Sequence, residues 1–237
     1  YENIYLALCI FFPIIFLVYG LGSVRQGLAI SYFFLFLYYN EDKLIKFLLF
    51  FIPFFFHQGS IGLMIFYLGS QIINFDNIKK FIFSLLFIII LCLIIFFFKY
   101  DYFSKQISNY VFKDTYVSIG APARAFLMSI FASIFLFRLK KIKFLDESIK
   151  RFLICSSLFV LILLPISFFI STPVDRVLGF FLIIKMMITE ELTRNTKNEL
   201  QKKLISILFI FFGFIYLVTW LYFGQNSYMW NRFDLFF

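Results

Sequence analysis

The sequence predicts an all-α fold: a polytopic transmembrane helical bundle of about nine spans, several of them short, with a cavity at its outer face. Three observations carry that expectation. Hydrophobic residues make up 62% of the 237-residue chain and charged residues only 15%, against about 25% charged in a soluble domain. The apolar residues come in runs of roughly 13 to 20, not in amphipathic stripes, and about 20 are needed to cross a bilayer. The basic residues fall in short stretches between the runs, most of them on alternate connections. Lipid cannot hydrogen-bond the backbone, so each run must satisfy itself as a helix.

The runs cover 4–22, 26–39, 44–56, 60–73, 80–98, 124–137, 151–170, 176–189 and 204–223. No repeat or linker divides them, so residues 1–237 read as a single integral membrane domain. The first run lacks the basic segment of a cleavable signal peptide. The chain begins at Tyr1, not Met, and an upstream portion is expected to be missing. Runs 44–56 and 60–73 are read as a hairpin. One continuous helix there would be about 45 Å long against a hydrocarbon core of about 30 Å. It would also turn the most basic loops outward. Pro53 weakens the helix, and the break is expected at Phe56-His57-Gln58-Gly59. Runs 26–39 and 176–189 would span only about 21 Å each, and short helices border cavities or thinned membrane.

With the N-terminus inside, the inner connections 40–46, 74–80, 138–151 and 190–203 carry twice as many basic residues as the outer side. The outer cations are Arg25, Lys99, Lys105, Lys113, Arg124, Arg176 and Arg232. That bias matches the positive-inside rule. It also accounts for the net charge of +9 without nucleic-acid binding. Lys185, within a run, is expected to snorkel toward the inner face. Cys9, Cys92 and Cys155 all lie in apolar runs and read as small buried or lipid-facing residues, not a disulfide framework. One histidine and no cysteine pair make a zinc site improbable.

The outer boundary is where chemistry is expected. Arg25, Arg124, Arg176 and Arg232 lie there, and the planar guanidinium fork suits phosphate oxygens. The alternative for each is snorkelling to headgroups. Arg25-Gln26-Gly27 opens a helix, so an anion could dock on its positive end. His57 sits at the hairpin tip, as a general base, a phosphate donor or a satisfied helix-end residue. Asp175 is the best-placed outer carboxylate for a base, unless it pairs with Arg176 or caps its helix. Loop 99–123 carries Tyr100, Tyr102, Tyr110 and Tyr116. The first two suit an interfacial belt; Tyr110 and Tyr116 suit either that belt or a sugar-binding surface.

The stretch Val24-Arg25-Gln26-Gly27-Leu28-Ala29, followed through Lys43-Leu44-Ile45-Lys46-Phe47 to Phe56-His57-Gln58-Gly59-Ser60, resembles the EpsG branch of Wzy-type polymerases. Members share an Arg-Gln-Gly-Leu-Ala helix start and, about 30 residues on, a Phe-His-x-Ser element. Here Ser60 stands one position late. The clear likeness spans about residues 20–70. It implies polymerisation of O-antigen, capsule or exopolysaccharide at the outer face of the bacterial cytoplasmic membrane. A growing glycan on undecaprenyl pyrophosphate would move to the next lipid-linked repeat unit, with no cofactor and no metal. Arg25 with one or more of Arg124, Arg176 and Arg232 would hold the diphosphate, and His57 or Asp175 would take the acceptor's proton. The partners implied are the undecaprenyl-pyrophosphate-linked oligosaccharide, membrane lipid, and a chain-length regulator and flippase of the same pathway. An O-antigen ligase, a membrane acyltransferase and a lipid-linked glycan flippase are the competing functions.

Overall fold

A computed structural model of the chain describes residues 24–73, 104, 108, 118, 120–144 and 146–223. Within them lie seven α-helices: α1 (Val24–Tyr38), α2 (Lys43–Phe56), α3 (Ser60–Ile72), α4 (Ala121–Arg138), α5 (Glu147–Ile166), α6 (Ser171–Arg194) and α7 (Glu199–Phe223), with a 3-10 turn at Leu139–Lys141. Each matches one of the expected runs. Runs 4–22 and 80–98 lie outside the described residues. Two helical stretches, Ala121–Lys141 and Glu147–Ile166, are long and apolar enough to cross a membrane.

Aromatic contacts fix how the helices run. Asp42 starts α2 by accepting from the Leu44 and Ile45 N–H groups at 2.7 and 3.1 Å, an N-cap that satisfies two orphan donors. Tyr32 then stacks on Phe56 at 5.3 Å and Phe36 packs on Phe50 at 5.1 Å. Contacts that advance in one helix and retreat in the other make α1 and α2 antiparallel. Phe50 also meets Tyr67 at 6.4 Å, so α3 folds back along α2. The break therefore falls where expected: α2 ends at Phe56, one turn after Pro53, and the His57 N–H donates to the Pro53 carbonyl at 3.1 Å.

The C-terminal end of α3 meets the start of α5. Gln71 Nε2 donates to the Ser148 carbonyl at 3.1 Å, and Arg151 Nη1 donates to the Gln71 carbonyl at 3.0 Å. Phe66 packs on Phe159 and Phe181 at 5.2 and 5.0 Å, joining α3, α5 and α6. On the far side Phe131 of α4 packs on Phe209 of α7 at 4.5 Å. Phe33, Phe135, Phe152 and Phe209 are fully buried at the centre.

Two expectations about run 176–189 are corrected. The helix is not short: α6 has 24 residues, about 36 Å. Lys185 does not snorkel, because α6 continues nine residues beyond it to Arg194. Its side chain is 3% exposed, with Nζ 5.1 Å from the centre of the Phe131 ring. Glu190 and Glu191, assigned from sequence to a loop, are buried in the same helix. By contrast α1, α2 and α3, with 15, 14 and 13 residues, are the short ones.

These pairings sort the charges by end. Lys43, Lys46, Arg138, Lys140, Lys141, Lys150, Arg151, Arg194 and Lys197 gather where α1, α3, α4 and α6 finish. Arg25, His57, Arg124, Asp175 and Arg176 lie at the opposite end, where those four helices begin.

Candidate functional site

Sequence dictates the first part of this end. Gly27, Ala29, Ile30 and Phe33 form the buried stripe of α1, leaving Arg25 exposed and Gln26 partly buried in the first turn. Seven residues is within roughly 20° of two helical turns, so Arg25 stands on the same side of α1 as Tyr32. Tyr32 stacks on Phe56, the last residue of α2. Arg25 is therefore aligned over the hairpin tip, about 10 Å further toward the outer end.

His57 is fixed at that tip. The Gly59 N–H donates to its Nδ1 at 3.0 Å, and its carbonyl accepts from the Ser60 hydroxyl at 2.8 Å. Its ring meets Phe180 of α6 edge-on at 5.4 Å. With Nδ1 accepting, a neutral imidazole carries its proton on Nε2. The pKa is lowered from the ordinary 6.5, first by burial and then by the Arg176 guanidinium, which keeps the ring neutral at pH 7. Ser60, one position late in the motif, is 1% exposed and bound to its own turn.

A second cluster joins α4 to α6. Arg124 Nε donates to Asp175 Oδ1 at 2.6 Å and its Nη2 to Oδ2 at 2.5 Å. Ser118 Oγ donates to the same Oδ2 at 2.9 Å and accepts from Arg124 Nη2 at 2.7 Å. The Ser118 N–H donates to Ser171 Oγ at 3.1 Å. Arg124 is 3% exposed and Asp175 is 27% exposed, so the fork opens outward on the carboxylate side. Asp175 pairs with Arg124, not with Arg176, and α6 starts at Ile170 without a side-chain cap. Ser118 was not legible as a site residue; nothing in the sequence brings it to a partner 57 positions away.

Two glycines let these groups sit where they do. A Cβ at Gly59 would lie 2.8 Å from His57 Cε1 and 3.0 Å from Phe180 Cζ. A Cβ at Gly120 would lie 2.9 Å from Arg124 Nη1.

The field at this end is positive. Neither α1, α3, α4 nor α6 has an acidic residue in its first turn, and α3, α4 and α6 begin without a side-chain cap. Their N-terminal dipole ends favour an anion. The structure thus packs His57 on Phe180 of α6 within the field of Arg176, clamps Arg124 of α4 to Asp175 of α6, and sets Arg25 with Gln26 at the same end. Tyr110, Tyr116 and Arg232 lie outside the described residues.

A match to known proteins follows this geometry: the model of the EpsG family matches residues 1–232. No curated protein and no solved structure matches the chain.

Proposed function

The chain belongs to the EpsG family, a family of polysaccharide polymerase-like membrane proteins, and from that premise we propose that it joins lipid-linked oligosaccharide repeat units. In this proposal it is a multi-pass enzyme of the bacterial inner membrane. The end bearing Arg25, His57 and Arg176 faces the exterior, and the donor is a glycan on undecaprenyl pyrophosphate. The observation that carries it is the placement of His57 against Phe180 of α6, within the field of Arg176 and at the end where four helices begin and Arg25 lies.

Arg25 and Arg176 hold the diphosphate and stabilise the charge that grows as it leaves. His57, neutral and with its lone-pair nitrogen engaged by Gly59, donates from Nε2 to a diphosphate oxygen. Arg124 and Asp175 act first as a clamp that fixes the starts of α4 and α6. Three hydrogen bonds occupy its carboxylate there, one on Oδ1 and two on Oδ2, which holds Asp175 to the clamp. The acceptor hydroxyl attacks the anomeric carbon, the bond to the diphosphate breaks, the hydroxyl proton passes to the departing diphosphate, and a single displacement inverts that centre. Gln26, Tyr110, Tyr116 and Arg232 would complete a cleft for the sugars.

The flippase alternative draws on the buried Lys185, Glu190 and Glu191. Between Asp175 and Lys185, however, α6 buries Leu178, Phe181, Leu182, Ile183 and Ile184, an apolar stretch unsuited to a charged headgroup's path. Arg25→Ala and His57→Ala, tested by polymer laddering in a polymerase-null strain, should leave single lipid-linked units. Full polymer stranded on the carrier lipid would mean a ligase. Normal long-chain product from both variants would refute the assigned roles.

A further inference from the structure

At the basic end, opposite the site above, a cavity of about 350 Å3 opens between the last turns of α4 and α6 and the first turn of α7. That volume falls within the range of small-molecule pockets, about 300–1,000 Å3. Arg138, Lys141 and Lys197 line it together with Asn195, Thr196 and Gln201, and among the described residues no carboxylate does. None of the three cations has an ion pair among the described residues. The carboxylate on the adjoining turn, Glu191, is taken by Arg194 at 2.5 Å.

The walls are tied together. Asn195 Oδ1 accepts from the Lys143 N–H at 2.7 Å while its amide donates to the Glu191 carbonyl at 2.9 Å. This holds the segment after α4 to the end of α6. Asn198 Oδ1 accepts from the Leu200 and Gln201 N–H groups, so the first backbone donors of α7 are used. Recognition therefore falls to side chains. Three cations around one cavity repel one another, and an anion between them removes that cost.

We propose that this cavity binds a phosphate-bearing anion, independently of the glycan chemistry. The neighbouring surface favours a lipid headgroup as its source. Phe137, Leu200 and Leu204 beside the cavity are 91%, 67% and 57% exposed, an apolar flank for acyl chains, while Ile142 and Leu192 line the cavity itself. Basic pockets between helices on the positive side of a membrane suit such headgroups.

The test uses the full chain purified in detergent, titrated with dioctanoyl phosphatidylglycerol, with dioctanoyl phosphatidylcholine and with inorganic phosphate, and read by thermal shift. Lys141→Gln with Lys197→Gln is compared with Lys43→Gln plus Lys46→Gln, which removes two cations at the same end outside the cavity. Phosphatidylglycerol should bind the first double variant about 30-fold more weakly than wild type, each cation contributing about a factor of five. It should bind the second with wild-type affinity. Saturation by phosphatidylglycerol alone identifies a lipid headgroup, and saturation by inorganic phosphate identifies a free anion. Equal losses in both double variants, equal binding of the zwitterionic lipid, or no binding of either anion would overturn the proposal.

Discussion

Asp175→Asn isolates what holds α4 against α6. The side chain keeps its size, but its amide turns a donor toward Arg124 Nε or Nη2. The bidentate pair and the Ser118 bond to Oδ2 are weakened together. Arg124, 3% exposed, is left buried without its counter-charge. Breaking a buried pair from one side costs about 3–5 kcal/mol. Asp175 keeps 27% of its exposure, so water screens part of that, and about 3 kcal/mol is expected. For a chain of this length the loss lowers Tm by roughly 6–12 °C. Arg124→Met combined with Asp175→Leu removes both charges, and such apolar replacements are often neutral. Its Tm should return to within about 3 °C of wild type, while polymer formation stays low because the clamp no longer sets the site. Intrinsic tryptophan fluorescence of the detergent-purified protein reads both. If Asp175→Asn unfolds at the wild-type temperature yet loses turnover, the carboxylate is the proton acceptor and the clamp assignment is wrong. A double variant no more stable than the single would also refute it.

Gly59→Ala places a methyl 2.8 Å from the imidazole and 3.0 Å from Phe180; it should abolish laddering like His57→Ala while membrane levels stay near wild type, as blotting would show. Arg176→Gln removes one cause of the lowered His57 pKa, so the pKa should rise toward 6.5. The chain has one histidine, and its single ring resonance reports the titration by NMR; an unchanged value would remove Arg176 from the imidazole's surroundings. The sign for stability follows: with the folded pKa below the unfolded one, the neutral ring contributes stability above about pH 6.5. That contribution is lost as pH falls toward the folded pKa. Lys185→Met should leave Tm unchanged or raise it by about 2–4 °C, since a buried ammonium with no hydrogen-bond partner among the described residues gives way to an apolar side chain of similar length. A large drop in Tm would mean that the ammonium is held by more than the Phe131 ring.

Much of the helical layout was legible because it follows from local physics. Pro53 and the Phe56-His57-Gln58-Gly59 turn announce the hairpin, and the Tyr32–Phe56 and Phe50–Tyr67 contacts close it. The charge imbalance foretold that the Lys-rich connections share one end. Run 176–189 was cut short because Glu190, Glu191 and Arg194 look like loop residues when every helix is taken to face lipid. In α6 these positions face other helices instead, where Glu191 pairs with Arg194. Arg25 and His57 could be found because they fall in a short paired motif. The Arg124–Asp175–Ser118 cluster could not, since its members are brought together by packing across 51 and 57 positions. Periodicity and composition carry no information at that range.

The most direct trial of the account is turnover of a purified lipid-linked repeat unit by the reconstituted protein, followed as release of undecaprenyl pyrophosphate. Arg25→Gln and Arg176→Gln should each slow release by about 100-fold or more, the scale of losing one donor to a developing charge. Lys43→Gln with Lys46→Gln, at the opposite end, should leave the rate unchanged. Wild-type release from both arginine variants, or an equal loss from the lysine pair, would contradict a diphosphate site at the end where α1, α3, α4 and α6 begin.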